Sequence, residues 1–277
     1  MTAPLGLLLD VDGPLASTVT RTLRLPSIAA DLVAIAHGGC PVVFNTGRSA
    51  AFLVERVLPE LAAAGLHADA PVWGVGEKGA TWFALEGEPP HAGPVSADLA
   101  LRPPQDLVDG VRELAGGLSH LMFWDDTKET MISVEQNVDV ASADYLAAQP
   151  AFVDDCAALI RTLGLADSFH IVPTIISVDI EHVTAGKALG AARALALVAE
   201  RMAPPTRWFT AGDSPSDYDM ASWLAAHGDD VVHLDVRPSG EVPDVPFPVL
   251  RERPTDAVAE DDLTAGHLAR LRAELVG

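Results

Sequence analysis

The stretch LGLLLDVDGPL, from Leu5 to Leu15, decides the fold. A continuous apolar run of this length suits a strand buried on both faces of a parallel sheet. It ends at Asp10-Val11-Asp12-Gly13-Pro14. The strand period of two aims the side chains of Asp10 and Asp12 the same way if the chain stays extended. Two neighbouring carboxylates repel unless a cation lies between them or one is protonated. The pair therefore reads in three ways. It suits a Mg²⁺ site, because magnesium takes oxygen ligands and keeps several waters. It suits a nucleophile beside a general acid/base. It also suits a solvated strand-to-loop turn, where Asp-Gly is common.

Working outward, the same rhythm repeats. Ile28, Leu32, Ile35 and Ala36 fall at helical spacing after Ser27, and Gly38-Gly39 ends that helix. Pro41 to Phe44 reads as a second buried strand, closing at Asn45-Thr46-Gly47-Arg48, and Ala50, Leu53, Val57 and Leu61 mark the next helix. Strand–helix–strand–helix order at this pitch predicts a parallel α/β sheet. From about residue 72 the rhythm changes to strands and hairpins. Residues 87–104 read as a Pro- and Gly-rich linker, Gln105–Leu118 and Ala151–Leu163 as helices, and Leu121–Trp124 with Met131–Glu135 as a hairpin. The α/β rhythm returns with a helix over Ala185–Met202, a strand over Arg207–Ala211 that runs into Gly212-Asp213-Ser214-Pro215-Ser216-Asp217, a helix from Tyr218 and a strand over Val231–Leu234. Five prolines make residues 236–254 an irregular surface segment, and the last helix begins near Leu263. The pattern is one α/β domain interrupted by an α+β module.

An open parallel sheet binds ligands at the carboxyl ends of its strands. Three segments carry polar residues to that edge: Asp10 with Asp12, then Thr46, then Asp213 with Asp217. The last two lie four apart at a helix start, which puts them on one face and also suits simple capping by Asp213 or Ser214. Four clustered carboxylates are costly without a metal. The Thr46 hydroxyl and the N–H groups after it suit phosphate oxygens near a helix N-terminus, or an ordinary turn. Lys187 opens a helix, where a cation opposes the dipole; a bound phosphate or an aspartate partner would explain it. Gly74–Gly79 matches GxGxxG, but the strand-like Thr81–Leu85 follows where the dinucleotide fingerprint needs a helix, so the match reads as a tight glycine hairpin.

Composition narrows the function further. The chain has 277 residues, 49% of them hydrophobic, which excludes a disordered segment, and a formal charge of -21. That charge argues against nucleic acid and anionic membranes as partners. A small phosphorylated ligand is still compatible if cations are placed locally. The two cysteines, Cys40 and Cys156, form neither a disulfide framework nor a metal spacing. No apolar run approaches the roughly 18 residues of a membrane span, and Met1–Leu9 lacks the basic start of a signal peptide. A cytoplasmic setting is the expectation. Lysine is scarce: Lys78, Lys128 and Lys187 are the three.

Taken in order, four segments resemble the motifs of the haloacid dehalogenase-like (HAD) hydrolase superfamily: LLLDVDGPL, VVFNTGR, TAGKALGAARAL and GDSPSD. The position of the insertion, TGRS at Thr46–Ser49 and GEKGA at Gly76–Ala80 resemble the type IIB cap subgroup, which includes Cof-like, sucrose-phosphate and trehalose-phosphate phosphatases. The resemblance implies a Rossmann-like core over residues 1–82 and 184–277, with a cap over 83–183. It implies a Mg²⁺-dependent phosphomonoesterase for a small sugar or polyol phosphate. Asp10 is then the nucleophile that forms an aspartyl phosphate, and Asp12 the acid/base. The implied metal site is Asp10, the Asp12 carbonyl and Asp213. Asp217 and Ser214 stand behind it, with Asp217 holding a metal-bound water or Lys187. Thr46, Gly47 and Lys187 hold the phosphoryl oxygens. Lys128 and Glu135 are expected to contact substrate from the cap; solvated hairpin charge is the plainer reading of both. Pro14 replaces a usual Thr, and Ser216 a frequent Asn. The alternatives are a phosphomutase, or a non-catalytic binding or regulatory protein of the same fold; a homodimer is a further possibility.

Overall fold

The computed structural model describes residues 2–17 and 20–277. The first half of the host unit runs β1 (Gly6–Leu9), α1 (Pro26–His37), β2 (Val42–Asn45), α2 (Ala50–Phe52), a π-turn at Leu53–Val57, α3 (Leu58–Ala63), β3 (Val72–Gly76), β4 (Thr81–Glu86), β5 (His91–Ala92) and β6 (Ser96–Ala97). Next come α4 (Gln105–Gly116), β7 (Met122–Trp124), β8 (Ile132–Gln136), α5 (Ser142–Thr162), β9 (Phe169–Pro173) and β10 (Ser177–His182). The chain finishes with α6 (Lys187–Arg201), β11 (Arg207–Gly212), α7 (Tyr218–His227), β12 (Asp230–Asp235), β13 (Val249–Arg251) and α8 (Glu260–Leu275).

Two compact units result, Met1–Ser96 with Gly186–Gly277, and Ala97–Ala185. The expected boundary at 82/83 therefore moves to 96/97. The reason is β4, which pairs antiparallel with β3 through Trp73↔Ala84 to Gly76↔Thr81 and in turn carries β5. Residues 83–96 cannot leave the host sheet without breaking those ladders.

That sheet runs β13-β12-β11-β1-β2-β3-β4-β5. The pairs from β13 to β3 are all parallel. The apolar run of β1 now has its explanation. Leu7 and Leu9 face a core shared with α1 and α8, while Leu8 faces a second core shared with α6 and α7. All three are completely buried, each contributing about 2 kcal/mol of hydrophobic stabilisation. The segment 236–254 is not wholly irregular: Val249–Arg251 adds a parallel edge strand to β12. Pro248 and Pro254 flank it, and prolines, lacking an N–H, keep such a strand short and at the edge.

In the second unit, an antiparallel sheet of order β7-β8-β10-β9 covers α4 and α5 with one face. Helix α5 starts nine residues before the expected Ala151, at Ser142, and runs through Pro150. Strand alternation puts Ile132 and Val134 into the core and leaves Ser133 and Glu135 on the helix-free face, where the Ser133 hydroxyl donates to Asp179 at 2.6 Å. Among the described residues, no helix is long and apolar enough to cross a membrane.

Candidate active site

Three strand ends of the host unit converge. Where β1 stops, the Asp10 N–H donates to the Ala211 carbonyl of β11 at 3.0 Å, fixing the loop to its neighbour. The start of α6 supplies Lys187, which is 5% exposed. Its ammonium lies 2.6 Å from Asp10 Oδ1 and 2.8 Å from Asp217 Oδ1, and donates to the Asn45 carbonyl at 2.7 Å. The ammonium is thus held by two carboxylates and one carbonyl. A lysine in a first helical turn thus has aspartate partners here.

Asp213 completes the group. One carboxylate oxygen each from Asp10, Asp213 and Asp217 lies within 4.8 Å of the others. Gly13 lets this happen: its φ is 87°, and a Cβ there would stand 2.3 Å from Asp213 Oδ2. Ser214 caps the short turn that follows. Its N–H and hydroxyl both donate to Asp217 Oδ2, at 2.9 and 2.7 Å. Asp217 thus binds Ser214 with one oxygen and Lys187 with the other. Ser216 stacks its hydroxyl on that of Ser214 at 2.8 Å.

Electrostatics shows the strain of this crowding. Burial, then the charges of Asp217 and Asp12, push the Asp10 carboxyl up to about 7 against the opposing pull of Lys187. Asp213 is pushed up to about 8 by burial and by Asp10 and Asp217. Burial alone would lower Lys187, but Asp10 and Asp217 outweigh it and hold the ammonium charged. One ammonium against three carboxylates leaves a negative excess in a place that water reaches poorly. The oxygen-only donor set and that excess fit a hard divalent cation such as Mg²⁺.

Asp12 behaves differently from Asp10, although the two are neighbours. Its carboxylate is gripped by Arg48, whose Nε donates to Oδ2 at 2.9 Å and whose NH2 group donates to Oδ1 at 3.1 Å. The guanidinium also lies 5.0 Å from the centre of the Phe52 ring. Thr46 is buried, and its hydroxyl accepts from the Arg48 N–H at 3.1 Å. Sequence reasoning left Arg48 without a role and missed Asn45. The Asn45 amide donates to the Lys187 carbonyl at 3.0 Å and so ties β2 to the start of α6. The only signal for either was adjacency to Thr46. Lys128 and Glu135 belong to the second unit, in the β7–β8 turn and on β8; the cluster is built from the first.

Comparison with solved structures gives the fold its relatives. The chain is similar to the C-terminal domain of trehalose-6-phosphate phosphatase from C. albicans, at 14% identity and a TM-score of 0.67, over 98% of this chain and 93% of that one. It is similar to a haloacid dehalogenase-like hydrolase from Bacteroides thetaiotaomicron, at 14% identity and a TM-score of 0.63, over 98% and 100%. It also matches the sucrose-phosphatase of Synechocystis, solved with sucrose and phosphate, at 14% identity and a TM-score of 0.55, over 99% and 98%. No protein-family model and no curated protein sequence matches the chain. At these identities the likeness is one of fold, and the fold is that of the haloacid dehalogenase-like hydrolases.

Proposed function

We propose that this chain, folded as a haloacid dehalogenase-like hydrolase, is a Mg²⁺-dependent phosphomonoesterase that works through an aspartyl phosphate on Asp10. The observation that carries the reading is the buried Asp10–Lys187–Asp217 chain beside Asp213 at the carboxyl edge of a parallel sheet. A capping turn needs no lysine at its centre, and a structural ion pair needs no third carboxylate raised to about 8.

In this reading Lys187 holds the Asp10 carboxylate still and aimed. An Asp10 oxygen attacks phosphorus, the bond from phosphorus to the ester oxygen breaks, and Asp12 delivers a proton to the departing oxygen. Asp12 then takes a proton from water as that water attacks the phosphorus of the aspartyl phosphate, releasing phosphate and restoring Asp10. For either transfer Asp12 must loosen one arm of the Arg48 fork, which otherwise parks it. Asp10 and Asp213, with the Asp12 carbonyl, would hold Mg²⁺, which supplies positive charge against the transferring phosphoryl group. Thr46 and Gly47 flank the position of that group. The leaving alcohol is proposed to be a small sugar or polyol, in line with the trehalose-6-phosphate and sucrose phosphatases among the structural relatives. Lys128 and Glu135 are proposed to contact it from the inserted unit.

The test is phosphate release from a panel of sugar and polyol phosphates, with and without Mg²⁺. Asp10→Asn is expected to cut kcat by at least ~10³-fold, since it removes the group that forms the covalent intermediate. A variant that keeps the wild-type rate removes Asp10 as nucleophile. Turnover that persists in a chelator removes the metal site.

A further inference from the structure

Strand β12 ends in a buried ionic cluster, beside the strand that leads into Asp213. Asp235, its last residue, is completely buried. Arg237 donates to this carboxylate through its backbone N–H, its Nε and its NH2 group, at 2.9, 3.0 and 2.7 Å. Arg251 of β13 donates to Oδ1 as well. The Tyr218 hydroxyl donates to Oδ2 at 2.6 Å. Burial would raise the Asp235 carboxyl, but the bonds from Arg237 and Tyr218 outweigh it and hold it down at about 2. Burial and then Asp235 push the Tyr218 phenol up to about 12, so its proton stays in place to be donated. A buried ion pair is weak evidence for stability, because apolar side chains of similar volume often do as well. What it adds is direction. A guanidinium fork fixes a carboxylate in its plane, and the fixed carboxylate fixes the phenol.

One peptide bond joins that phenol's residue to the site. Tyr218 opens α7 and directly follows Asp217, whose Oδ1 lies 2.8 Å from the Lys187 ammonium. The Tyr218 ring is held by its neighbours: the His233 ring centre lies 4.4 Å away and the Arg237 guanidinium 5.0 Å away. Asp217 is seated against the end of β11, where a Cβ on Gly212 would stand 2.1 Å from the Asp217 Cβ. The Val236 N–H donates to the Gly212 carbonyl at 3.0 Å, which ties that seat to the end of β12. Two residues into α7, the Met220 sulfur accepts from the Asn45 amide at 3.6 Å, and the same amide donates to the Lys187 carbonyl. The start of α7 therefore borders Lys187 at its ammonium and, through Asn45, at its backbone. A shift of that turn moves Asp217, and with it the ammonium that holds Asp10.

We propose that Tyr218 and Asp235 are positioning residues for the nucleophile: Asp235, clamped by Arg237 and Arg251, holds the Tyr218 hydroxyl and so pins the start of α7, where Asp217 meets Lys187 and Lys187 aims Asp10. This rests on the phosphomonoesterase reading above. In this role neither residue touches the substrate, and the pair acts on kcat rather than on binding.

Tyr218→Phe in the full chain tests it, because it removes one hydroxyl and leaves Asp235 paired with both guanidiniums. The assay is hydrolysis of p-nitrophenyl phosphate with saturating Mg²⁺. A loosened nucleophile should lower kcat by ~10-fold or more, with KM within ~2-fold of wild type. Arg272→Gln is the control for lost stability. It breaks the 2.9 Å ion pair between α8 and the buried Asp31 of α1, and should leave kcat within ~2-fold. Ser214→Ala loosens Asp217 at its other oxygen. Two changes that act through one residue do not combine independently, so kcat of the double variant should depart by more than ~3-fold from the product of the single losses. A Tyr218→Phe enzyme with wild-type kcat would overturn the proposal, as would a raised KM with kcat unchanged. An equal fall in the Arg272→Gln control, or single losses that simply multiply, would overturn it too. If the wild type releases no phosphate, the phosphomonoesterase reading falls and the proposal falls with it. If the wild type is active and Tyr218→Phe matches it, the proposal alone is dismissed.

Discussion

Asp10 and Asp213 make the folded protein sensitive to pH in a direction opposite to an ordinary aspartate. Both carboxyls are raised, to about 7 and about 8, whereas an unfolded chain returns them to about 4. Between those values the folded state holds more protons than the unfolded one, so stability falls as pH rises from about 4 to about 8. Buried His233 has the reverse slope. Burial lowers it to about 4, so its contribution is complete above about 6.5 and is lost as pH falls toward 4. Mg²⁺ separates the two, because it would compete with protons for the carboxylates and leave His233 untouched. The gain in Tm from Mg²⁺ is expected to be small at pH 5 and largest at pH 8; scanning calorimetry across that range checks it. A gain that does not change with pH would count against metal binding at these carboxylates. At this scale the sequence was readable wherever a residue type is costly in its place. Clustered aspartates and a lysine in a first helical turn announced themselves. Arg48 and Asn45 did not, because an arginine after a turn and an asparagine at a strand end need no explanation until the fold brings Asp12 and Lys187 beside them.

Elements carry the site through their ends. The turn at Ser214–Asp217 both caps and positions: the Ser214 side chain holds Asp217, and Asp217 holds Lys187. Ser214→Ala removes the hydroxyl bond and keeps the N–H bond. The expected loss is about 1 kcal/mol of stability, measured by urea unfolding; a change within ~0.3 kcal/mol, inside the range of neutral surface substitutions, would mean that the hydroxyl holds nothing. Strands with runs such as Leu7-Leu8-Leu9 and Val42-Val43-Phe44 were legible because burial on both faces leaves no polar alternation. Elements set by tertiary partners were not. The edge strand Val249–Arg251 carries no pattern of its own and exists because β12 offers it a ladder. Helix α5 runs through Pro150, a residue that signals a boundary when only local sequence is visible.

At the scale of the whole molecule, the parallel sheet and the interruption were both visible in the order of the motifs, while the junction was not. Prolines and glycines between residues 87 and 104 suggest a linker, yet β5 pairs with β4 and extends the host sheet into that stretch. The interruption has a consequence for how the protein comes into being. Strand β1 pairs with β11, Gly6 opposite Trp208, about two hundred residues later in the chain. The second unit has its own sheet, helices and core, all within Ala97–Ala185. Its residues all precede β11 in the chain, and loop closure favours its nearer contacts over the β1–β11 pairing. The interior of the chain is therefore expected to gain amide protection before either end, in pulse-labelling hydrogen exchange during refolding or on stalled ribosomes. Protection that appears first in β1 and β2 would reverse that order. Until β11 arrives, Leu7, Leu8 and Leu9 stand as an unpaired apolar edge. The nascent chain thus has a period of vulnerability to aggregation, which the time taken to translate the insertion lengthens.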